Sequence, residues 1–272
     1  MTGFNMDNSV FKKLIEIIYK QSGIKLDSRK KALVEGRIAR RMRILKLTDY
    51  NKYLDLLKGN SNSGEMENML DVISTNVTHF YRESSHFEIL YSAISKWRKQ
   101  GQSKFRLWCA ASSSGEEPYT MSMVLSDVFN GTTIDAKILA TDISRPMLLK
   151  CIDAKYNKKD FEKLPSKYIK EYIEKVEDFD EELYTIIKEV RNRVLFKRLN
   201  LSTPPFPMKG PLDVIFIRNV MIYFDQPVKQ KLINEAYRLL KPNGILFIGH
   251  SENLTELNHK FKTIAPAAYI KK

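Results

Sequence analysis

Cysteine is scarce. Two residues, Cys109 and Cys151, stand in 272, with no metal-type spacing, so neither a disulfide framework nor a zinc cluster organises the chain. Buried thiols in a reducing cytoplasm are expected. No run of about 18 apolar residues occurs, so no membrane-spanning helix is expected. Met1 to Val10 lacks a basic segment followed by an apolar core, so no secretion signal is expected either. The four histidines, His79, His86, His250 and His259, are scattered and suggest no ligand cluster. Internal repeats and low-complexity tracts are absent. The G-x-G-x-x-G phosphate cradle is absent too.

What the chain does have is apolar content of 43%, with 11% aromatic residues, which marks a globular protein. It also has an excess of positive charge, +13 in all, which favours an acidic partner. The excess is uneven. Between Asp27 and Leu47 eight lysines or arginines face two acids, a net +6. Leu33, Ile38, Met42 and Leu45 give this segment an apolar stripe. The opposite face should carry the arginines, with Arg37, Arg40, Arg41 and Arg43 as a docking surface.

Residues 4 to 58 read as helices, and a further helix follows the polar loop Gly59 to Gly64. Ser74 to Glu83 packs an arginine and hydrogen-bonding residues where a plain linker would suffice. Its bland reading is a capped helix start with Glu83 in the first turn. Phe105 to Ala111 then reads as a buried strand, broken by small residues before Glu116-Glu117-Pro118 opens a helix. Strand, small-residue turn and helix is how an α/β sheet opens a pocket at the carboxyl ends of its strands. The second strand, Ala136 to Thr141, ends on Asp142, a position suited to ribose hydroxyls. Asp160 to Arg193 is charged and reads as an insert of helix and antiparallel strand. Val194 to Leu199, Leu212 to Ile217, Ile245 to Gly249 and Ala268 to Ile270 complete the strands.

Four strings carry a resemblance: Thr75 to Glu83 (TNVTHFYRE), Ala110 to Tyr119 (AASSSGEEPY), Ile217 to Phe224 (IRNVMIYF) and Gly249 to Glu252 (GHSE). In this order they resemble the CheR family of chemotaxis receptor glutamate O-methyltransferases, over essentially the whole chain. The resemblance implies an α/β class I (Rossmann-like) S-adenosylmethionine-dependent methyltransferase with an N-terminal all-helical domain and a small inserted β-subdomain. Residues 1–75 would form the helical receptor-docking domain, 76–104 a linker and connecting helix, and 105–272 the methyltransferase domain with 160–193 inserted. It implies cofactor contacts from Asn76, Thr78, Arg82, Glu117, Asp142, Asn200, Leu201, Arg218 and Asn219, and a catalytic part for Arg82 and Tyr223. Arg82 is left with two roles, gripping the cofactor's carboxylate or orienting the substrate's. No metal is implied, and His250 reads as a structural histidine.

The implied acceptors are acidic cytoplasmic helices of chemoreceptors, met by a monomer that is cytoplasmic and recruited to membrane receptor arrays without inserting. Some members tether to a receptor tail peptide through a glycine-rich turn of the β-subdomain. Lys175 to Glu182 is acidic and has no glycine, which argues against tethering here. Two rival readings remain: a nucleic-acid methyltransferase, suggested by the basic charge, and a catalytically silent S-adenosylmethionine-binding signalling protein. No aromatic-interleaved basic strand or zinc knuckle supports the first.

Overall fold

The structure, a computed structural model, describes residues 6–59, 63–132, 134–177 and 182–272. Four helices come first: α1 (Asn8–Ser22), α2 (Lys31–Ile44), α3 (Tyr50–Lys58) and α4 (Ser63–Ile73). Asp7 caps α1 by accepting from the Val10 N–H at 2.7 Å, and Asp49 caps α3 through Asn51 N at 2.8 Å. Leu14, Ile18, Val34, Ile38, Met42, Tyr53 and Met69, all fully buried, meet in a core of their own. On α2 the buried stripe is Val34, Ile38 and Met42. Leu33 is 40% exposed, which corrects the expected stripe by one residue.

After α5 (Ser85–Lys99) the strands and helices alternate: β1 (Lys104–Cys109), α6 (Glu116–Phe129), β2 (Asp135–Asp142), α7 (Arg145–Asp153), β3 (Lys155–Asn157), α8 (Ser166–Tyr172), β4 (Ile173–Lys175), β5 (Leu183–Ile186), α9 (Lys188–Arg191), β6 (Val194–Arg198), β7 (Leu212–Ile217), α10 (Gln226–Leu239), β8 (Leu240–Ile248), β9 (Phe261–Ala265) and β10 (Ala268–Lys271). Seven strands form one sheet in the order β6-β2-β1-β7-β8-β10-β9, parallel as far as β8, with β10 antiparallel to both β8 and the edge strand β9. Every residue of β7 is buried, as a central parallel strand covered on both faces requires. Along β1 and into the residue after it, Phe105, Leu107 and Cys109 enter one core while Trp108 and Ala110 enter the other, the two-residue alternation of a strand. The chain order reverses between β1 and β7, which puts the ligand crevice outside the carboxyl ends of those two strands.

The inserted unit is the antiparallel sheet β3-β5-β4. Its first strand lies at Lys155–Asn157, before the expected start at Asp160. Residues 178–181, the middle of the acidic stretch considered for peptide tethering, lie outside the described residues.

The helical unit docks over the crevice. Ile24 bridges Phe224, and the Lys25 N–H donates to the Tyr223 carbonyl at 2.8 Å. Gly23 permits this approach: its φ is 72°, and a Cβ there would meet the Ser202 Cβ at 2.4 Å. The Tyr19 hydroxyl donates to Asp225 at 2.6 Å, and the Asn200 amide donates to the Gln21 carbonyl at 2.8 Å.

Candidate active site

Between the helical unit and the sheet lies a cavity of about 430 Å³, in the size range of small-molecule sites. All ten residues expected around the cofactor or the reaction line it: Asn76, Thr78, Arg82, Glu117, Asp142, Asn200, Leu201, Arg218, Asn219 and Tyr223. Residues from α1 to the start of α2, including Ile24, Lys25 and Leu33, form its other wall. Sequence reading had not assigned them to the site.

Each side chain arrives with partners already attached. Asp142, at the tip of β2, accepts from Ser113 N (2.8 Å) and Ser144 N (2.9 Å), one bond per oxygen. Each oxygen keeps acceptor capacity for a ligand hydroxyl. Ser144 caps α7 instead, so Asp142 is not that helix's cap. Burial pushes the Asp142 carboxyl up, and the backbone N–H groups hold against it. Asn200 is spent on the fold, because its amide holds Gln21 and its oxygen accepts from Ser202 N and Oγ. Leu201 is buried in the core beneath.

Arg218 is fully buried, and its guanidinium is committed inward. One nitrogen donates to Glu117 at 2.8 Å. The other donates to the Arg82 carbonyl at 2.5 Å and lies 3.0 Å from Glu83. Arg218 lines the cavity as expected, and its charge is met by two internal carboxylates, so it also serves as a strut. Burial pushes the Glu117 carboxyl up against the pull of Arg218. Burial would raise Glu83 as well, but Arg218, Asn219 and the His250 N–H together hold it below the usual carboxylate range. Two carboxylates, Glu83 and Glu117, thus stand around Arg218, and Arg82 adds a second cation to the cavity wall.

Asn219 adopts a left-handed φ of 57°, which asparagine tolerates. Its N–H donates to Glu252 at 2.9 Å and its amide to Glu83 at 3.2 Å. Gly249 makes room, since a Cβ there would lie 2.5 Å from the Asn219 amide nitrogen. Arg82 stands between Tyr81 (φ 58°) and Glu83 (φ 57°). Two left-handed residues, one on each side of the arginine, store strain of about 1–3 kcal/mol each. The Arg82 guanidinium donates to the Val77 carbonyl at 2.8 Å and forms no ion pair among the described residues. Tyr223 lies on a single 3-10 turn, Met221–Tyr223, at the cavity wall.

Glu83, Glu252 and Cys109, whose thiol donates to Glu117 at 3.2 Å, were missed from the sequence as members of this network. Two of the four histidines are brought together, whereas His79 lies by Lys163 and His259 by Phe261. His86, His250 and Glu83 bring ligand-type atoms within 4.8 Å of one another. A cation there would compete with Arg218 for the same Glu83 oxygen. His86 is wholly buried, and burial, reinforced by Arg218, pushes its pKa down to about 4.

The α2 arginines divide. Arg41 pairs with the buried Glu65 through two nitrogens, at 3.1 and 2.5 Å, and Tyr53 donates to the same carboxylate. Arg37 donates to the Ile73 carbonyl at 2.5 Å, pinning the connection between the units. Both are thus withdrawn from the expected docking surface by their internal bonds. Arg40 and Arg43 are exposed.

Comparison with known proteins accounts for both units. Residues 9–74 match the family model described as the CheR methyltransferase all-alpha domain, and residues 76–270 the one described as its SAM binding domain. The chain is 37% identical over 264 residues to the chemotaxis protein methyltransferase of Escherichia coli K12, covering 97% of this chain and 91% of that protein. It is 36% identical over 280 residues to that of Borreliella burgdorferi, covering 98% and 97%. Among the described residues no helix is long and apolar enough to cross a membrane. The alternating helices and strands, the helical roof and the acid-lined cavity thus fall within one match: this chain belongs to the CheR methyltransferase family, an α/β class I methyltransferase whose cofactor is S-adenosylmethionine.

Proposed function

We propose that the chain esterifies glutamate side chains on the cytoplasmic acidic helices of chemoreceptors, with Arg82 and Tyr223 at the point of transfer. The observation that carries this reading is the contrast between Arg82 and Arg218, two of the arginines that line the cavity. Arg218 is neutralised by internal acids, whereas among the described residues Arg82 bonds only a carbonyl. A guanidinium held this way is open to a carboxylate. The names of the relatives, chemotaxis protein methyltransferases, support receptors as the source of that carboxylate.

Bound S-adenosylmethionine supplies a methyl group already activated on a sulfonium. Asp142 holds the ribose hydroxyls with its remaining acceptor capacity, and Asn76 and Thr78 close over the cofactor. Glu117, backed by Arg218, faces the cofactor's positive end. A glutamate carboxylate is ionised at neutral pH and needs no strong general base. The residues therefore work by alignment and by excluding water. Arg82 orients the incoming carboxylate, and Tyr223 walls or hydrogen-bonds the transfer path. Arg40 and Arg43 supply charge for docking acidic helices, a contribution that salt screens.

The test is methyl transfer from labelled S-adenosylmethionine to chemoreceptor-bearing membranes, followed by mild alkali. Release of the label as methanol is expected of a carboxyl ester. Alkali-stable label would mean methylation at nitrogen or carbon and would overturn the reading. Cofactor binding without any label would favour a silent binding protein instead.

A further inference from the structure

We propose that Glu83 is a positioning residue for methyl transfer, acting through Arg218 and the backbone of Arg82. The inference rests on the reading of Arg82 as the group that meets the substrate carboxylate. Glu83 does not line the cavity. Its carboxylate instead ties three loops: its own, by sequence; the turn after β7, through Arg218 (3.0 Å) and the Asn219 amide (3.2 Å); and the turn after β8, through the His250 N–H (3.2 Å).

The same Arg218 nitrogen that faces Glu83 donates to the Arg82 carbonyl at 2.5 Å. Arg82 sits between two left-handed residues, a geometry that relaxes unless its surroundings over-determine it. Two further anchors hold the upstream side. The Tyr81 N–H donates to Thr120 Oγ1 at 3.2 Å, and the Tyr81 ring stacks on Phe87 at 5.2 Å. The downstream side has the Glu83 carboxylate. Releasing it frees Arg218 to turn toward Glu117 alone and lets the Arg82 carbonyl drift. The guanidinium then loses its fixed aim while the Asp142 end of the cavity stays as it was.

Glu83→Gln separates this from a merely structural role, because it keeps the side chain's size and one acceptor oxygen, which can still take the bond from Asn219 or from His250, but offers Arg218 no charge. Three quantities decide the matter: affinity for S-adenosylhomocysteine by calorimetry, and kcat and KM for receptor methylation. The variant should bind the cofactor product within about threefold of the parent while kcat falls by about tenfold or more, with KM for receptor little changed. The same substitution placed in an Arg82→Lys background should lower kcat by less than about threefold, since residues acting through one group are not additive. Unchanged kcat in Glu83→Gln overturns the inference. So does an equal fold-loss in both backgrounds, or a cofactor affinity weakened by more than about tenfold. Full turnover in Arg82→Lys alone would instead remove the Arg82 reading on which the inference stands.

Discussion

Arg218 in the cleft and Arg40 on α2 carry the same side chain into opposite circumstances. The Arg218 side chain has no exposed surface, and its charge is spent on Glu83 and Glu117. Arg40 is exposed to solvent. Each region repeats the split internally. In the cleft Arg218 is the strut and Arg82 the presented group. On α2, Arg37 and Arg41 are struts, while Arg40 and Arg43 are presented. Charge count along the chain is thus a poor guide to docking. A buried carboxylate ties Arg218 and Arg41 into the fold, and Arg37 is tied in by the carbonyls of Ile73 and Ser74.

The largest effect should follow removal of the deepest strut. Arg218→Met leaves two carboxylates buried without a cation and should destabilise the chain by about 3–5 kcal/mol in denaturant unfolding. A loss below about 1 kcal/mol would mean that Arg218 is not the keystone of the cleft.

Acid should expose a second effect of comparable size. His86 is held neutral, with its pKa pushed from the ordinary 6.5 to about 4. As pH falls through that window the unfolded chain binds a proton that the folded chain refuses. Stability should therefore drop by about 3 kcal/mol between pH 6.5 and 4 on this account. His86→Leu should flatten that limb of the stability–pH curve. The Glu83 contribution has the same direction but belongs lower, because a carboxyl held below its ordinary value loses its stabilising effect only as pH falls toward its folded pKa. An unaltered slope in the variant would count against a buried neutral His86.

On α2 the comparison sharpens further. Arg41→Ala should cost about 2 kcal/mol, because Glu65 is 3% exposed and loses its cation. Arg40→Ala and Arg43→Ala should stay within about 0.5 kcal/mol of the parent in stability. Changing both to glutamate should raise KM for receptor severalfold and reduce the salt dependence of methylation, with cofactor affinity intact. Equal stability losses for Arg40→Ala and Arg41→Ala would erase the distinction between strut and presented residue.

Much of this was legible in the chain. The strand–turn–helix at Leu107 to Pro118, Asp142 ending β2 and the buried run of β7 follow from local pattern. The residues named for the cleft do converge on one cavity. What local pattern could not supply was pairing. Arg218 and Glu117 are 101 residues apart, and Arg41 and Glu65 are 24 apart. Glu83 looked like a first-turn acid because its partners lie in turns far along the chain. The α2 stripe was misread because one residue shifts a helical face by about 100°. That is enough to exchange Val34 for Leu33. The first strand of the insert, three residues at Lys155–Asn157, is too short to show any alternation.

Arg82→Ala tests the central division between strut and presented arginine most directly, with cofactor affinity and receptor methylation measured on one preparation. Affinity for S-adenosylhomocysteine should hold within about fivefold, while the methylation rate falls by about a hundredfold or more, as when a fixed charge at the reacting group is removed. Methylation at the parent's rate, or a loss of cofactor affinity as large as the loss of rate, would contradict the account.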